Sequence, residues 1–150
     1  MEEKLTMQNQ KIALWEAGQY AGADSDGFSP TLTTYILDGP KCRAAVLIIP
    51  GGGYEHVSLR EGEPVALQFN AAGMHAFVLN YSVAPRRYPQ PLLDLMRALC
   101  LIRENAVGWQ VDPDKIAICG FSAGGHLAAS LATHGPQLSL AGIAGINRDR

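Results

Sequence analysis

One stretch, Lys115-Ile-Ala-Ile-Cys-Gly-Phe-Ser-Ala-Gly-Gly-His-Leu-Ala-Ala129, constrains the fold more than any other part of the chain. Ile116 to Cys119 is a short apolar run of the kind a fully buried parallel strand shows. Leu127, Ala128 and Leu131 follow at spacings of one, three and four, so a helix starts directly after the turn. Between them, Gly120-Phe-Ser-Ala-Gly124 matches Gly-x-Ser-x-Gly. A serine hydroxyl is a weak nucleophile and must stand clear of a sheet to meet a base and a carbonyl carbon. A sharp strand-to-helix turn lifts it there but strains its backbone. Glycines two before and two after remove Cβ atoms that would collide inside the turn. The helix then begins under Ser122 with unpaired N–H groups, and the N–H of Ala123 can donate to a developing oxyanion. The pentapeptide alone is weak evidence in a chain with 16 glycines; its plain reading is a Gly-rich connection with an ordinary serine. The strand before it and the helix after it favour a nucleophile elbow.

The remaining composition narrows the partners. A net charge of −2, with no basic or acidic run, argues against nucleic acid and against an anionic membrane surface. No apolar stretch approaches a membrane span, and the polar start from Met1 to Lys11 lacks the apolar core of a signal peptide, which favours the cytoplasm. Cys42, Cys100 and Cys119 are widely spaced, an arrangement that suggests reduced thiols. Cys100 and Cys119 read as packing residues. The four histidines show no zinc-ligand spacing, so no metal and no cofactor is expected. His126 reads as a local hydrogen-bonding or packing residue.

Taken in order, residues 1–30 are a lead-in with a first edge strand in Lys11 to Trp15, and Gly18 to Pro30 is a loop. Residues 31–135 form the sheet core. Thr31 to Leu37 is a strand, and Arg43 to Ile49 a continuous apolar, central one. Pro50-Gly-Gly-Gly-Tyr54 follows it directly. Three glycines expose backbone N–H groups. A flexible loop and a phosphate cradle are both conceivable, but no Gly-Lys-Ser/Thr follows, and a lip of oxyanion donors fits best. Glu63-Pro64 opens a helix with Val65, Phe69 and Ala72 as its buried stripe, ended by Gly73. His75 to Tyr81 is a strand. Ser82 to Pro91 is a rigid surface loop whose two arginines could meet an anionic group, with solvation the better fit. Leu92, Met96, Leu99, Ile102 and Ala106 mark a long amphipathic helix. Trp109 to Asp114 is a connection, and Lys115 starts the elbow strand. Residues 136–150 read as an irregular tail after the Gly135-Pro136 break. Alternating strands and helices imply right-handed crossovers and a mostly parallel sheet with helices on both faces, its ligands at the carboxyl ends of the strands.

Pro50 to Tyr54, Ser58-Leu-Arg-Glu-Gly-Glu-Pro64, Asn80-Tyr-Ser-Val-Ala-Pro85, Val111-Asp-Pro-Asp114 and Gly120 to Ala128 occur in that order. With these, the chain resembles the α/β-hydrolase superfamily, in the lipase and esterase branch that includes hormone-sensitive-lipase-like and acetylxylan-esterase-like enzymes. The resemblance spans about residues 30–135. It implies an α/β-hydrolase fold, Ser122 as nucleophile and an oxyanion hole from the N–H groups of Gly52, Gly53 and Ala123. Tyr54, next to these glycines, is a candidate substrate-binding residue. Pro50 stands where many relatives carry His, which leaves backbone donors unaffected. In this fold the triad runs Ser, acid, His. Here the only acid after Ser122 is Asp149, followed only by Arg150, and His126 and His134 precede it. The expectation is therefore the N-terminal half of one domain, truncated after the nucleophile helix.

The expected function is a serine carboxylic-ester hydrolase acting on small acyl or acetyl esters, acetylated sugars among them. The acid and base lie outside this chain, so the chain alone should be inactive. The rivals are an inactive or partner-binding half-domain and a serine peptidase of the same fold. An open edge along Lys115 to Cys119 would favour self-association or pairing with the missing C-terminal half.

Overall fold

The computed structural model describes residues 7–134. Its strands are β1 (Met7–Gln8), β2 (Lys11–Ala13), β3 (Thr31–Leu37), β4 (Arg43–Ile49), β5 (His75–Asn80) and β6 (Val111–Gly120). Its helices are α1 (Glu63–Ala71), α2 (Gln90–Glu104), the short α3 (Ala106–Trp109) and α4 (Ala123–His134). The sheet runs β1-β3-β5-β4-β6, with β2 also pairing with β3. The pairs of β3 with β1, β2 and β5 are antiparallel; β5–β4 and β4–β6 are parallel.

Right-handed crossovers dictate the layers. The step from β4 to β5 through α1 runs opposite to the step from β5 to β6 through α2, so the two helices must lie on opposite faces. The cores agree. Ala66 of α1 packs with Val46, Ile48 and Ala76. Leu92, Leu95 and Ile102 of α2, with Leu127 of α4, pack with Leu47, Ile49, Phe77 and Leu79. Alternate residues of β4 thus serve opposite cores, which is why Arg43 to Ile49 reads as a continuous apolar run.

Several expectations need correction. The elbow strand begins at Val111, not Lys115: Val111 already lies opposite Arg43, and pairing resumes at Ile116 opposite Ala45 after an irregularity. Among the described residues β6 is the edge of the sheet, so Ile116, Ile118 and Cys119 are half-buried and Ala117 is exposed. The stripe of α1 is rotated: Ala66 is the buried residue, Val65 and Phe69 are half-buried, and Ala72 is exposed. The small Ala66 side chain lets the helix approach the sheet closely. On α2, Leu92 and Ile102 are buried while Met96 and Leu99 are half-buried, and Ala106 belongs to α3. Trp15 lies beyond β2 and turns into the core. The tail at 136–150 falls outside the described residues. No described helix is long and apolar enough to cross a membrane.

Candidate active site

Ser122 sits between β6 and α4 with φ at 53°, in the left-handed region. A non-glycine residue there is strained, and strain of this kind collects at functional sites. The flanking glycines permit the turn. A Cβ on Gly120 would lie 2.4 Å from the carbonyl oxygen of Gly124, and one on Gly124 would lie 2.0 Å from that of Ile49. The turn is pinned by Phe121 N–H donating to Ile49 O (3.0 Å), Gly124 N–H to Phe121 O (2.8 Å) and His126 N–H to Ser122 O (2.9 Å). Ser122 is exposed, and its hydroxyl bonds to no described residue.

The glycine loop leaves the end of β4, the neighbour of β6, and lies against the elbow. A Cβ on Gly51 would come 3.0 Å from Ser122 Cβ. The loop is fixed by its carbonyls: Tyr81 Oη donates to Pro50 O (2.6 Å), Ser58 N–H to Gly51 O (2.8 Å), and Glu55 N–H to Gly52 O (3.0 Å). The Glu61 carboxylate holds Gly51 N–H at 2.7 Å. Burial pushes the Tyr81 phenol up to about 12, so it remains a donor. Positive φ values at Gly52 (137°), Gly53 (64°) and Tyr54 (61°) turn the chain back. A Cβ on Gly52 would collide with His56 O at 1.9 Å. The N–H groups of Gly52, Gly53 and Ala123 donate to no described residue, while the carbonyls around them are occupied. This is the polarity that an incoming anionic oxygen requires.

Tyr54 Oη lies 2.7 Å from His126 Nδ1, and the two rings meet edge to face at 5.8 Å. Tyr54 also packs edge to face on Tyr81 at 6.2 Å. His126, one turn below the serine, thus joins the helix to the glycine loop, the hydrogen-bonding role expected of it. Of the other histidines, His56 follows the glycine loop, its N–H donating to Gly52 O at 3.2 Å, while His75 and His134 lie elsewhere. His75 is buried, its Nδ1 accepting from Leu37 N–H (3.1 Å) and its Nε2 meeting Gln110 O (3.1 Å). His134 Nδ1 meets Thr133 Oγ1 at 2.8 Å.

Sequence reasoning missed a buried anchor behind the loop that precedes α2. Asp94 accepts from Trp15 Nε1 (2.9 Å), Gln90 Nε2 (3.0 Å) and Ser82 N–H (2.7 Å). Its burial raises its pKa above the usual carboxylate range, against the pull of these donors. Tyr20 Oη meets Ser82 Oγ at 2.6 Å. One signal was present: a lone acid among Leu92, Leu93, Leu95 and Met96. The expected solvation of both arginines holds only for Arg87. The Arg86 side chain is 5% exposed and forks onto the Asp26 carboxylate, because Gly22 O at 2.9 Å and the Phe28 ring at 4.7 Å complete a site for it. Among the described residues no three His, Cys, Asp or Glu side chains gather as a metal site would require.

Comparison with known proteins places this arrangement. Endo-1,4-beta-xylanase B of Butyrivibrio fibrisolvens is 41% identical over 125 residues, which are 81% of this chain and 20% of that protein. Acetylxylan esterase of Xylanibacter ruminicola is 32% identical over 113 residues, 75% of this chain and 23% of that protein. The crystal structure of an acetyl ester-xyloside bifunctional hydrolase from Caldicellulosiruptor lactoaceticus superposes with a TM-score of 0.80 at 45% identity, over 83% of this chain and 47% of that one. The chain therefore spans about a fifth of these curated relatives and about half of the solved structure. Its mixed sheet is that of an α/β hydrolase. The family model described as BD-FAE matches residues 38–145, a span holding both the glycine loop and the elbow, and the chain belongs to the BD-FAE family.

Proposed function

We infer that this chain carries the nucleophile and the oxyanion donors of a carboxylic-ester hydrolase acting on small acyl esters, acetylated sugars among them. The observation that carries the reading is the exposed Ser122, strained at φ 53° beside a glycine loop with unoccupied N–H groups. The esterase names of the relatives support the reaction class. In the proposed reaction Ser122 Oγ attacks the ester carbonyl carbon. The carbonyl oxygen, now anionic, takes hydrogen bonds from Gly52, Gly53 and Ala123, and the C–O bond to the alcohol breaks. The serine proton must pass to a base that then protonates the leaving alcohol; water later releases the acid from the acyl-enzyme. No described histidine ring bonds to Ser122, and the order serine, acid, histidine along the chain supports assigning acid and base to residues outside positions 7–134.

That division suggests a test independent of the base. A hydroxyl needs deprotonation help, whereas a thiol ionises unaided with an ordinary pKa of about 8.5. In the 150-residue chain, Ser122→Cys treated with p-nitrophenyl acetate at pH 8 should acquire an acyl group at position 122 at least roughly tenfold faster than at the exposed Cys42, as oxyanion donors stabilise the attack. Peptide mapping by mass spectrometry reads both sites. Equal rates at the two positions would refute the elbow and oxyanion assignment. The unsubstituted chain should show only a residual acceleration, on the order of 10³–10⁴-fold over water.

A further inference from the structure

The proposed oxyanion donors come from two separate segments: Gly52 and Gly53 follow β4, and Ala123 opens α4. As far as Gly51 the backbone locks these segments together. Phe121 N–H reaches Ile49 O, a Cβ on Gly124 would lie 2.6 Å from Pro50 O, and one on Gly51 would lie 3.0 Å from Ser122 Cβ. Beyond Gly51 that lock ends. Gly52 folds back on its own loop, where its carbonyl accepts from Glu55 and His56 N–H. Gly53 is exposed, and a Cβ there would meet no atom within 4 Å beyond its chain neighbours. A glycine without packing neighbours has a wide choice of backbone angles, so its N–H is aimed by whatever fixes the next residue.

The next residue is Tyr54, and it is fixed on three sides. Its carbonyl accepts from Ala84 N–H at 2.7 Å, in the loop before α2, and its ring packs edge to face on Tyr81, just after β5. Its hydroxyl meets His126 Nδ1 at 2.7 Å. Among the described residues this is the one hydrogen bond that joins the loop beyond Gly51 to the elbow or to α4. Its far end is firm. His126 N–H donates to Ser122 O, its carbonyl accepts from Ser130 Oγ at 2.9 Å, and Leu127 beside it is buried. Burial raises the Tyr54 phenol above its ordinary value, so it keeps its proton for this bond. The backbone makes the choice of residue informative. Tyr54 has φ 61°, which glycine takes freely and a bulky side chain takes under strain. A fourth glycine would relieve that strain and leave the loop without its link to α4.

We propose that Tyr54 and His126 are positioning residues: their hydrogen bond latches the glycine loop to α4 and holds the N–H groups of Gly52 and Gly53 in register with that of Ala123. The role rests on the ester-hydrolase reading above. The pair also borders a cavity of about 460 Å³ beside Gly53, with Arg87, Tyr88, Leu92 and Leu127, so substrate contact is the competing role. Kinetics separates the two. In the Ser122→Cys chain at pH 8, the thiolate at position 122 attacks p-nitrophenyl acetate, the S–C bond forms and p-nitrophenolate leaves. The limiting acylation rate and the half-saturating ester concentration are both measured. Tyr54→Phe and His126→Leu should each lower the limiting rate roughly tenfold, the upper range of one neutral hydrogen bond, and leave the half-saturating concentration unchanged. His126→Asn keeps an acceptor at the Nδ1 position and should restore the rate. The double variant of Tyr54→Phe with His126→Leu should be no slower than either alone, since one bond is lost in all three. A parent rate in either single variant, slowing that multiplies in the double variant, or a change confined to the half-saturating concentration would overturn the proposal. In the chain with Ser122 intact, NMR order parameters of the Gly52 and Gly53 amides should fall in His126→Leu and hold in His126→Asn. The two readings fail separately. Loosened glycines in a protein whose position 122 acylates no faster than Cys42 keep the latch and remove the catalytic reading. Fast acylation with rates and order parameters indifferent to His126→Leu does the reverse.

Discussion

The strain at Ser122 has a measurable energy. An L-residue in the left-handed region costs about 1–2 kcal/mol, and glycine escapes that cost at an entropic penalty of about 0.5–1 kcal/mol. Ser122→Gly should therefore raise the thermal midpoint by a few degrees while removing the hydroxyl, a trade of activity for stability. Gly124→Ala should act the other way. Its Cβ would lie 2.0 Å from Ile49 O, and neither partner is a side chain that can rotate aside. Overpacking of this severity reaches about 3 kcal/mol or more, so a large fall in midpoint is expected. If both variants melt with the parent chain, the elbow is not under strain. These positions were legible in the sequence because glycine is itself the local signal. Asp94, Trp15 and Tyr20 were not: Trp15 and Asp94 are 79 residues apart, Tyr20 and Ser82 are 62, and only the folded topology brings each pair together.

Among the elements, His75 is the joint that ties three strands. It begins β5, receives Leu37 N–H from the end of β3, and meets the carbonyl of Gln110 just before β6. Since Nδ1 accepts, the neutral ring carries its proton on Nε2 and donates it to Gln110 O. A second proton would point at the Leu37 N–H. Burial accordingly lowers the pKa of His75 from 6.5, and the nearby Arg43 charge lowers it further, against the Gln110 bond. The unfolded chain then binds more protons below pH 6.5, so this contribution to stability is complete above that value and is lost as pH falls through the depressed folded pKa. The thermal midpoint should drop between pH 7.5 and pH 5, and His75→Gln, though less stable at neutral pH, should show a smaller drop. An equal drop in both proteins would assign the acid sensitivity elsewhere. Periodicity located β3, β4 and β5 to within a residue. It missed the first part of β6 because only Val111 there pairs with β4, opposite Arg43, and pairing resumes at Ile116 after an irregularity, so Val111-Asp-Pro-Asp114 carries no hydrophobic pattern.

Across the whole molecule, the described sheet closes on one side with the short β1 and β2 and ends on the other at β6. Ala117 is exposed there, between the half-buried Ile116 and Ile118. An uncharged, proline-free run of this kind invites pairing along its edge. The isolated chain should elute above monomer size on size-exclusion chromatography, more so at higher concentration, and Ala117→Lys should return it toward monomer. A stable monomer with slow amide exchange along Lys115 to Cys119 would show the edge to be covered already. The contact between Gly51 and the elbow also bears on protein engineering. The proposed oxyanion donors are main-chain atoms, and the turn that places them tolerates no side chain at 51, 52, 120 or 124. The loop before α2 is braced separately, by Asp94 on Ser82 N–H and by Asp26 on Arg86. Libraries built on this chain should randomise positions 87 and 88, which line the cavity beside Gly53, and leave the glycines alone; the two regions can then diverge independently.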